Sequence, residues 1–187
     1  PPGLTFVVVS DDAKEKMKNR KTPIASFYAN LMAFDGYYEK KWFPYTMPIS
    51  DIYGLRAAFN LIAGDKTLYE RHARIGSATR AAVKEAGLKL HLQSGYSNTV
   101  TVFDIPECTD AKSILDEMRT KYNIMLAGSF DELSGKVIRI GHMGENARLE
   151  HMVPALEALS ATLTDLGVTL QGNLADLFLK HYREFQD

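Results

Sequence analysis

The most specific element of the sequence is Lys136-Val137-Ile138-Arg139-Ile140-Gly141-His142-Met143-Gly144. On a β-strand, Ile138 and Ile140 face one side, whereas Val137, Arg139 and Gly141 face the other. An arginine in the middle of an apolar strand is costly unless its guanidinium meets an anion or reaches water. Arg139 is therefore a candidate carboxylate-binding residue, because a planar guanidinium can hold a carboxylate with two hydrogen bonds. The alternative is an edge-strand arginine that reaches solvent or pairs with a structural acid.

The sequence from residue 88 onward predicts a small α+β domain with an antiparallel or mixed sheet covered by helices on one face. Strands are predicted at 88–92, 99–103, 124–127 and 136–141. Helices are predicted at 111–122, 147–166 and 172–185, and Pro154 is expected either to kink the helix at 147–166 or to lie in its early turns. We place the domain at residues 66–187, although the composition changes at Gly87 and the preceding helix could belong to either side.

Residues 1–65 have a different character. The apolar run Leu4–Val9 follows a Pro-Pro-Gly turn and predicts a strand buried on both faces, for which the next eighty residues offer no sheet neighbour. We therefore expect Pro1 to be a cut point inside a larger protein. Helices are predicted from the Ser10 cap to Met17, over 24–34, and as a jointed pair from Ile49 to Gly87 with a break at residues 63–65.

An aromatic, turn-rich segment, residues 35–48, precedes the jointed helix and is typical of a loop that packs against another surface or a cofactor. Within it, the Thr46 hydroxyl lies near a predicted helix N-terminus, where backbone N–H groups and the helix dipole favour an anion. A simple helix cap with aromatic packing is the alternative. Gly141 and Gly144 are spaced as in a tight strand-to-helix turn, and two such glycines are weak support for a phosphate site.

Composition excludes several classes. The 22 basic and 23 acidic residues leave a formal charge of −1, which indicates no nucleic-acid partner. No apolar run has the length of about 20 residues that a membrane span needs. The five histidines lack metal-ligand spacing, so no metal site is predicted. Cys108 is the single cysteine, which favours a reducing compartment and a soluble, cytoplasmic protein.

Short motifs at four places, in one order, resemble the class V aminotransferases of the pyridoxal-phosphate fold type I superfamily, closest to the alanine–glyoxylate and serine–pyruvate group. The resemblance runs nearly end to end. It rests on Pro1-Pro2-Gly3 with the run that follows, Arg20-Lys21-Thr22 with Ser26-Phe27-Tyr28, Phe43, Thr46 and Pro48 before Tyr53-Gly54-Leu55-Arg56, and Lys136 to Gly141.

The resemblance implies a fold and roles. The chain would be the C-terminal part of such an enzyme: the tail of the large pyridoxal-phosphate domain, with its interface loop and linking helix, at 1–65, and the small α+β domain at 66–187. Arg139 would bind the α-carboxylate of an amino-acid or oxo-acid substrate. Thr46 would contact the cofactor phosphate of the neighbouring subunit in a homodimer. Phe43 stands where the alanine–glyoxylate members have a phosphate-binding tyrosine, and Tyr45 could substitute for it.

The resemblance also places the Schiff-base lysine a few residues before Pro1, so no catalytic residue is assigned within the chain. The chain alone is expected not to transaminate, while its parent would exchange an amino group between an alanine- or serine-like amino acid and glyoxylate or pyruvate. The alternative for the chain itself is a non-enzymatic α+β module that binds a carboxylate or mediates dimerisation.

Overall fold

A computed structural model describes residues 3–185 and divides the chain into two compact units, Pro1–Asp65 and Lys66–Asp187. The first unit contains helices α1 (Asp11–Lys18), α2 (Tyr37–Lys40) and α3 (Ile49–Gly64), with a 3-10 turn at Leu31–Phe34. No residue from 3 to 65 is buried. An apolar sequence of this kind without a core of its own needs another surface to cover it.

Two sequence predictions in the first unit are wrong. Residues 4–9 form no strand, and Val8 is 99% exposed, because no segment of the described unit pairs with them. The helix predicted over 24–34 is absent except for its last turn. The Ser26 hydroxyl accepts the N–H of Ala29, and the Asn30 side chain accepts the N–H of Met32. These local bonds take backbone donors that a continuous helix would need, and they favour turns instead.

The second unit contains α4 (Leu68–Glu85), β1 (Val100–Asp104), α5 (Ala111–Tyr122), β2 (Val137–Gly141), α6 (Leu149–Asp165) and α7 (Leu174–Glu184). Helix α4 packs against α7 and β1, and α6 packs against α7 and α5. Pro154 lies inside α6. The largest fully buried side chains in this core include Phe103, Phe178, Ile75, Ile114, Met118, Ile138, Leu156, Leu159 and Leu163.

The sheet is antiparallel and has two strands, with Phe103 opposite Ile138 and Val102 opposite Arg139. The strands predicted at 88–92 and 124–127 are reduced to single bridges, Leu90 to Phe103 on one side and Ala127 to Arg139 on the other. Both segments are too short and too irregular to extend the ladder beyond these points. The α+β class with a small helix-covered sheet is confirmed, and the sheet is antiparallel throughout.

Side chains fix the starts of α5 and α7. Asp110 caps α5 by accepting the N–H and the hydroxyl of Ser113 at 3.0 and 2.7 Å. The buried Ser160 hydroxyl of α6 accepts the N–H of Leu174 at 2.8 Å, which joins the start of α7 to α6. Within residues 3–185, no helix is long and apolar enough to cross a membrane.

The core of the second unit predicts that two leucine-to-alanine substitutions differ in how much they lower the free energy of unfolding. Leu156→Ala, at a side chain with no exposed surface, is expected to lower the free energy of unfolding by about 2–5 kcal/mol, because it removes packed atoms and leaves a cavity. Leu92→Ala, at a side chain 47% exposed, should cost less than about 1 kcal/mol. Urea unfolding followed by circular dichroism measures both. Equal losses would contradict the assigned core.

Candidate functional site

Strand β2 places Arg139 on the outer face of the sheet. Ile138 and Ile140 are 0% and 2% exposed and point into the core, where burial of each is worth about 1.5–3 kcal/mol. Since successive side chains on a strand alternate, Arg139 is directed to the opposite face, where it is only half-buried. The hydrophobic pattern of β2 therefore fixes the side on which the guanidinium appears.

The surroundings of Arg139 hold its backbone and one edge of its guanidinium. Its N–H donates to the carbonyl of Ala127 at 2.7 Å, and its Nε–H donates to the carbonyl of Gly128 at 2.5 Å. The guanidinium carbon lies 5.3 Å from the centre of the Phe130 ring. Among residues 3–185, no carboxylate lies within 4 Å of this guanidinium, so the alternative of a structural ion pair is not observed. A half-buried cation without an acid can accept an anionic ligand.

The residue that follows β2 by one position, His142, is completely buried. Its Nδ1–H donates to the carbonyl of Asn98 at 3.2 Å, and its Nε2 accepts the hydroxyl of Thr101 at 2.8 Å. Burial lowers the pKa of His142 from 6.5 to about 4, because the charged ring would lose its hydration. The neutral ring joins the end of β2 to β1 and to the loop before it.

The turn from β2 into α6 is also bound to α4. His72 donates from Nδ1 to the carbonyl of Leu68 at 2.6 Å and accepts the N–H of Gly144 at Nε2, at 3.0 Å. Arg71 donates from Nε to the carbonyl of Ala147 at 3.0 Å. Because the Gly144 N–H is already used, the two glycines form a tight turn and not a phosphate cradle. The roles of His72 and His142 are not predicted by the sequence, since no spacing pattern marks a histidine that bonds only to backbone and hydroxyl groups.

Thr46 and Tyr45 lie in the first unit. Tyr45 belongs to an aromatic cluster formed by Phe27, Tyr28, Phe34, Tyr37, Phe43 and Tyr45. The Tyr45 hydroxyl donates to the carbonyl of Phe27. Thr46 is exposed and stands three residues before the start of α3, where the N–H of Ile49 already donates to the carbonyl of Met47 at 2.9 Å. Thr46 is therefore accessible to a ligand, whereas the Tyr45 proton is committed to a backbone carbonyl.

Metal-binding groups are not brought together. Within the described residues, no group of three or more histidine, cysteine, aspartate or glutamate side chains is arranged to hold a metal ion. His91 instead bonds to Asp104 at 2.7 Å, and His181 bonds to Glu85 at 2.6 Å, which are paired contacts of the surface. The candidate chemistry of the chain thus rests on Arg139 and Thr46.

Known proteins match the chain in sequence and in fold. The chain is 36% identical over 171 residues to an uncharacterized aminotransferase of Methanocaldococcus jannaschii, covering 89% of this chain and 44% of the relative. It is 35% identical over 191 residues to the serine–glyoxylate aminotransferase of Arabidopsis thaliana, covering 97% and 47%. The crystal structure of pyridoxamine–pyruvate aminotransferase from Mesorhizobium loti matches with a TM-score of 0.83 and 31% identity, covering 94% of this chain and 46% of that one. No family model matches the chain.

The chain is therefore a homologue of the class V aminotransferases, and its fold is that of their C-terminal part. The resemblance found in the sequence is confirmed. The chain spans about half the length of the curated relatives it matches. The activity, substrates and partners of the whole protein are accordingly proposals.

The buried His142 predicts that stability depends on pH. The unfolded chain binds a proton at this ring near the ordinary pKa of 6.5, whereas the folded chain binds it only near 4. Stability from the neutral ring is therefore complete above the first value and is lost as the pH falls toward the second, by about 3 kcal/mol in all. Urea unfolding across this interval measures the loss. In His142→Gln, whose side chain does not titrate in this interval, this contribution to the pH dependence of the free energy of unfolding should vanish. An unchanged pH dependence would contradict the neutral, buried state of His142.

Proposed function

We propose that the chain is the C-terminal portion of a pyridoxal-phosphate-dependent aminotransferase that exchanges an amino group between a small amino acid, such as alanine or serine, and glyoxylate or pyruvate. Support comes from homologues that are serine–glyoxylate, alanine–glyoxylate and pyridoxamine–pyruvate aminotransferases. The single observation that carries the proposal within the chain is the half-buried guanidinium of Arg139, which no carboxylate of residues 3–185 neutralises.

In this proposal Arg139 binds the α-carboxylate shared by the amino-acid donor and the oxo-acid acceptor. A charge-assisted pair of parallel N–H···O bonds fixes both the position and the orientation of a carboxylate. One residue can serve both half-reactions, because the two substrates differ at the α-carbon and not at the carboxylate. Arg139 thereby orients the carbon at which the amino group is exchanged, which is the main task of a positioning contact in catalysis.

Pyridoxal phosphate, when bound, supplies the electron sink that makes exchange at the α-carbon possible. Thr46 fits a contact to its phosphate, because the hydroxyl is exposed close to the N-terminus of α3. Tyr45 remains a second candidate for the phosphate, and it would have to exchange the hydrogen bond that it now donates to Phe27. The catalytic lysine is proposed to belong to the part of the parent that the relatives have and this chain does not cover.

We propose further that the parent is a cytoplasmic homodimer and that residues 1–65 are the tail of its large domain. Support for a covering surface is the set of exposed aromatic side chains in the first unit: Phe27, Tyr28, Tyr38, Trp42 and Tyr53. Aromatic side chains of this kind are enriched where subunits meet. A free, exposed Cys108 suits a reducing compartment. The 187-residue chain alone is expected to be inactive.

The role of Arg139 predicts the outcome of a binding experiment. Arg139→Met should weaken pyruvate binding by the 187-residue chain by about 10- to 100-fold, because hydrogen bonds to a charged partner are worth about 1.5–3 kcal/mol. Arg119→Met is the matched control, since the Arg119 side chain is 62% exposed and pairs with Asp116. Titration with pyruvate, followed by nitrogen-15 NMR of arginine side chains, measures both affinities. Equal binding by wild type and Arg139→Met would refute the role.

The role of Thr46 predicts that two substitutions in the full-length parent differ in how well they retain pyridoxal phosphate. Thr46→Val keeps the shape but removes the hydroxyl, and it should weaken retention of pyridoxal phosphate by about 10-fold or more. Thr46→Ser keeps the hydroxyl and should retain the cofactor. Cofactor absorbance after gel filtration reports retention. Loss in both variants, or in neither, would contradict a hydroxyl–phosphate contact.

A further inference from the structure

The segment from Ala127 to Phe130 binds one edge of the Arg139 guanidinium and places an aromatic ring beside it. The carbonyl of Gly128 takes the Nε–H, and the ring of Phe130 lies 5.3 Å from the guanidinium carbon. A cation within about 6 Å of an aromatic ring centre is attracted to the negative face of that ring. The two contacts act on different parts of the same group, so together they restrict where its remaining N–H donors point.

The loop that carries Phe130 is fixed by its own backbone. The N–H of Leu133 donates to the carbonyl of Phe130, and the N–H of Ser134 donates to the carbonyl of Asp131. Asp131 has a φ of 51°, in the left-handed region that a non-glycine residue adopts at a cost. Phe130 itself is 70% exposed, so the ring gains little from burial where it stands. Its defined contact in this loop is with the charge of Arg139.

We propose that Phe130 is a positioning residue, which together with the Gly128 carbonyl holds the Arg139 guanidinium so that its two terminal nitrogens bind the substrate carboxylate end-on. This inference rests on the proposed function, because it assumes that Arg139 binds a carboxylate. It adds the residue that orients Arg139 and the edge of the guanidinium that the substrate uses.

The edge of the guanidinium that binds the carboxylate follows from the number of N–H donors that remain free to bind it. A guanidinium has five N–H groups: one on Nε and two on each terminal nitrogen. Side-on binding of a carboxylate needs the Nε–H, which here is bonded to Gly128. End-on binding uses one N–H from each terminal nitrogen and leaves the Gly128 bond intact. The ring of Phe130 limits rotation of the guanidinium in the free protein, so less side-chain freedom is lost when the carboxylate binds.

The test replaces Phe130 by pentafluorophenylalanine in the 187-residue chain, which keeps an aromatic ring but removes the negative potential of its face. Two quantities are measured by nitrogen-15 NMR: the order parameter of the Arg139 Nε–H in the free chain, and the affinity for pyruvate. Phe130→Tyr is the conservative variant and Phe130→Leu removes the ring. Circular dichroism melts check that all chains fold, which the exposure of this side chain favours.

The proposal predicts a lower order parameter and pyruvate binding weakened about 2- to 5-fold for the fluorinated ring and for Phe130→Leu, with wild-type values in Phe130→Tyr. A structural role alone would not distinguish the fluorinated ring from the natural one. An order parameter and affinity that fluorination leaves unchanged, with binding still dependent on Arg139, would overturn this inference and leave the proposed function standing. Pyruvate binding that is absent, or that Arg139→Met does not change, would overturn the role of Arg139 as a carboxylate-binding residue, on which the proposed function rests within this chain.

Discussion

Everything at the candidate site depends on the burial of one face of strand β2. Ile138 and Ile140 pack into the core of the second unit, and antiparallel pairing with β1 fixes their register. Because side chains alternate along a strand, this burial commits Arg139 to the outer face. A slip of one residue in the pairing register would bury a guanidinium and expose two isoleucines. The free energy lost in this way would exceed the free energy gained from strand pairing. The apolar residues of β2 therefore hold a cation at a defined place on the surface of the sheet.

Two histidines hold the end of β2 and the turn that follows it. His142 ties the end of the strand to Thr101 and Asn98, and His72 ties the following turn to α4 through Gly144. Neither contact introduces a carboxylate that would compete for the guanidinium. The Gly128 carbonyl and the Phe130 ring likewise stabilise the cation without neutralising it. An arginine kept in this way has two terminal nitrogens with which it can bind an anionic ligand.

Strong local patterns were predictable from the sequence, and features that depend on distant partners were not. The alternation in 136–141 predicted β2 and the outward direction of Arg139, and apolar periodicity predicted α4 to α7 within a few residues. The helix predicted over 24–34 failed because the Ser26 and Asn30 side chains bind nearby N–H groups. The strand predicted at 4–9 failed because a strand exists only with a neighbour. The hydrogen bond between His72 and Gly144 joins residues 72 positions apart, and no local sequence pattern predicts it.

The two units differ in what they can do alone. Residues 66–185 have a buried core that supports Arg139, whereas residues 3–65 bury no side chain and display an aromatic cluster beside Thr46. The central claim, that Arg139 is held as a carboxylate-binding cation, is tested most directly by a crystal structure of the chain grown with pyruvate. The account predicts electron density for the carboxylate against the two terminal nitrogens of Arg139, with the Nε–H still bonded to Gly128. A guanidinium paired with a protein carboxylate, or pyruvate bound elsewhere with Arg139 free, would contradict it.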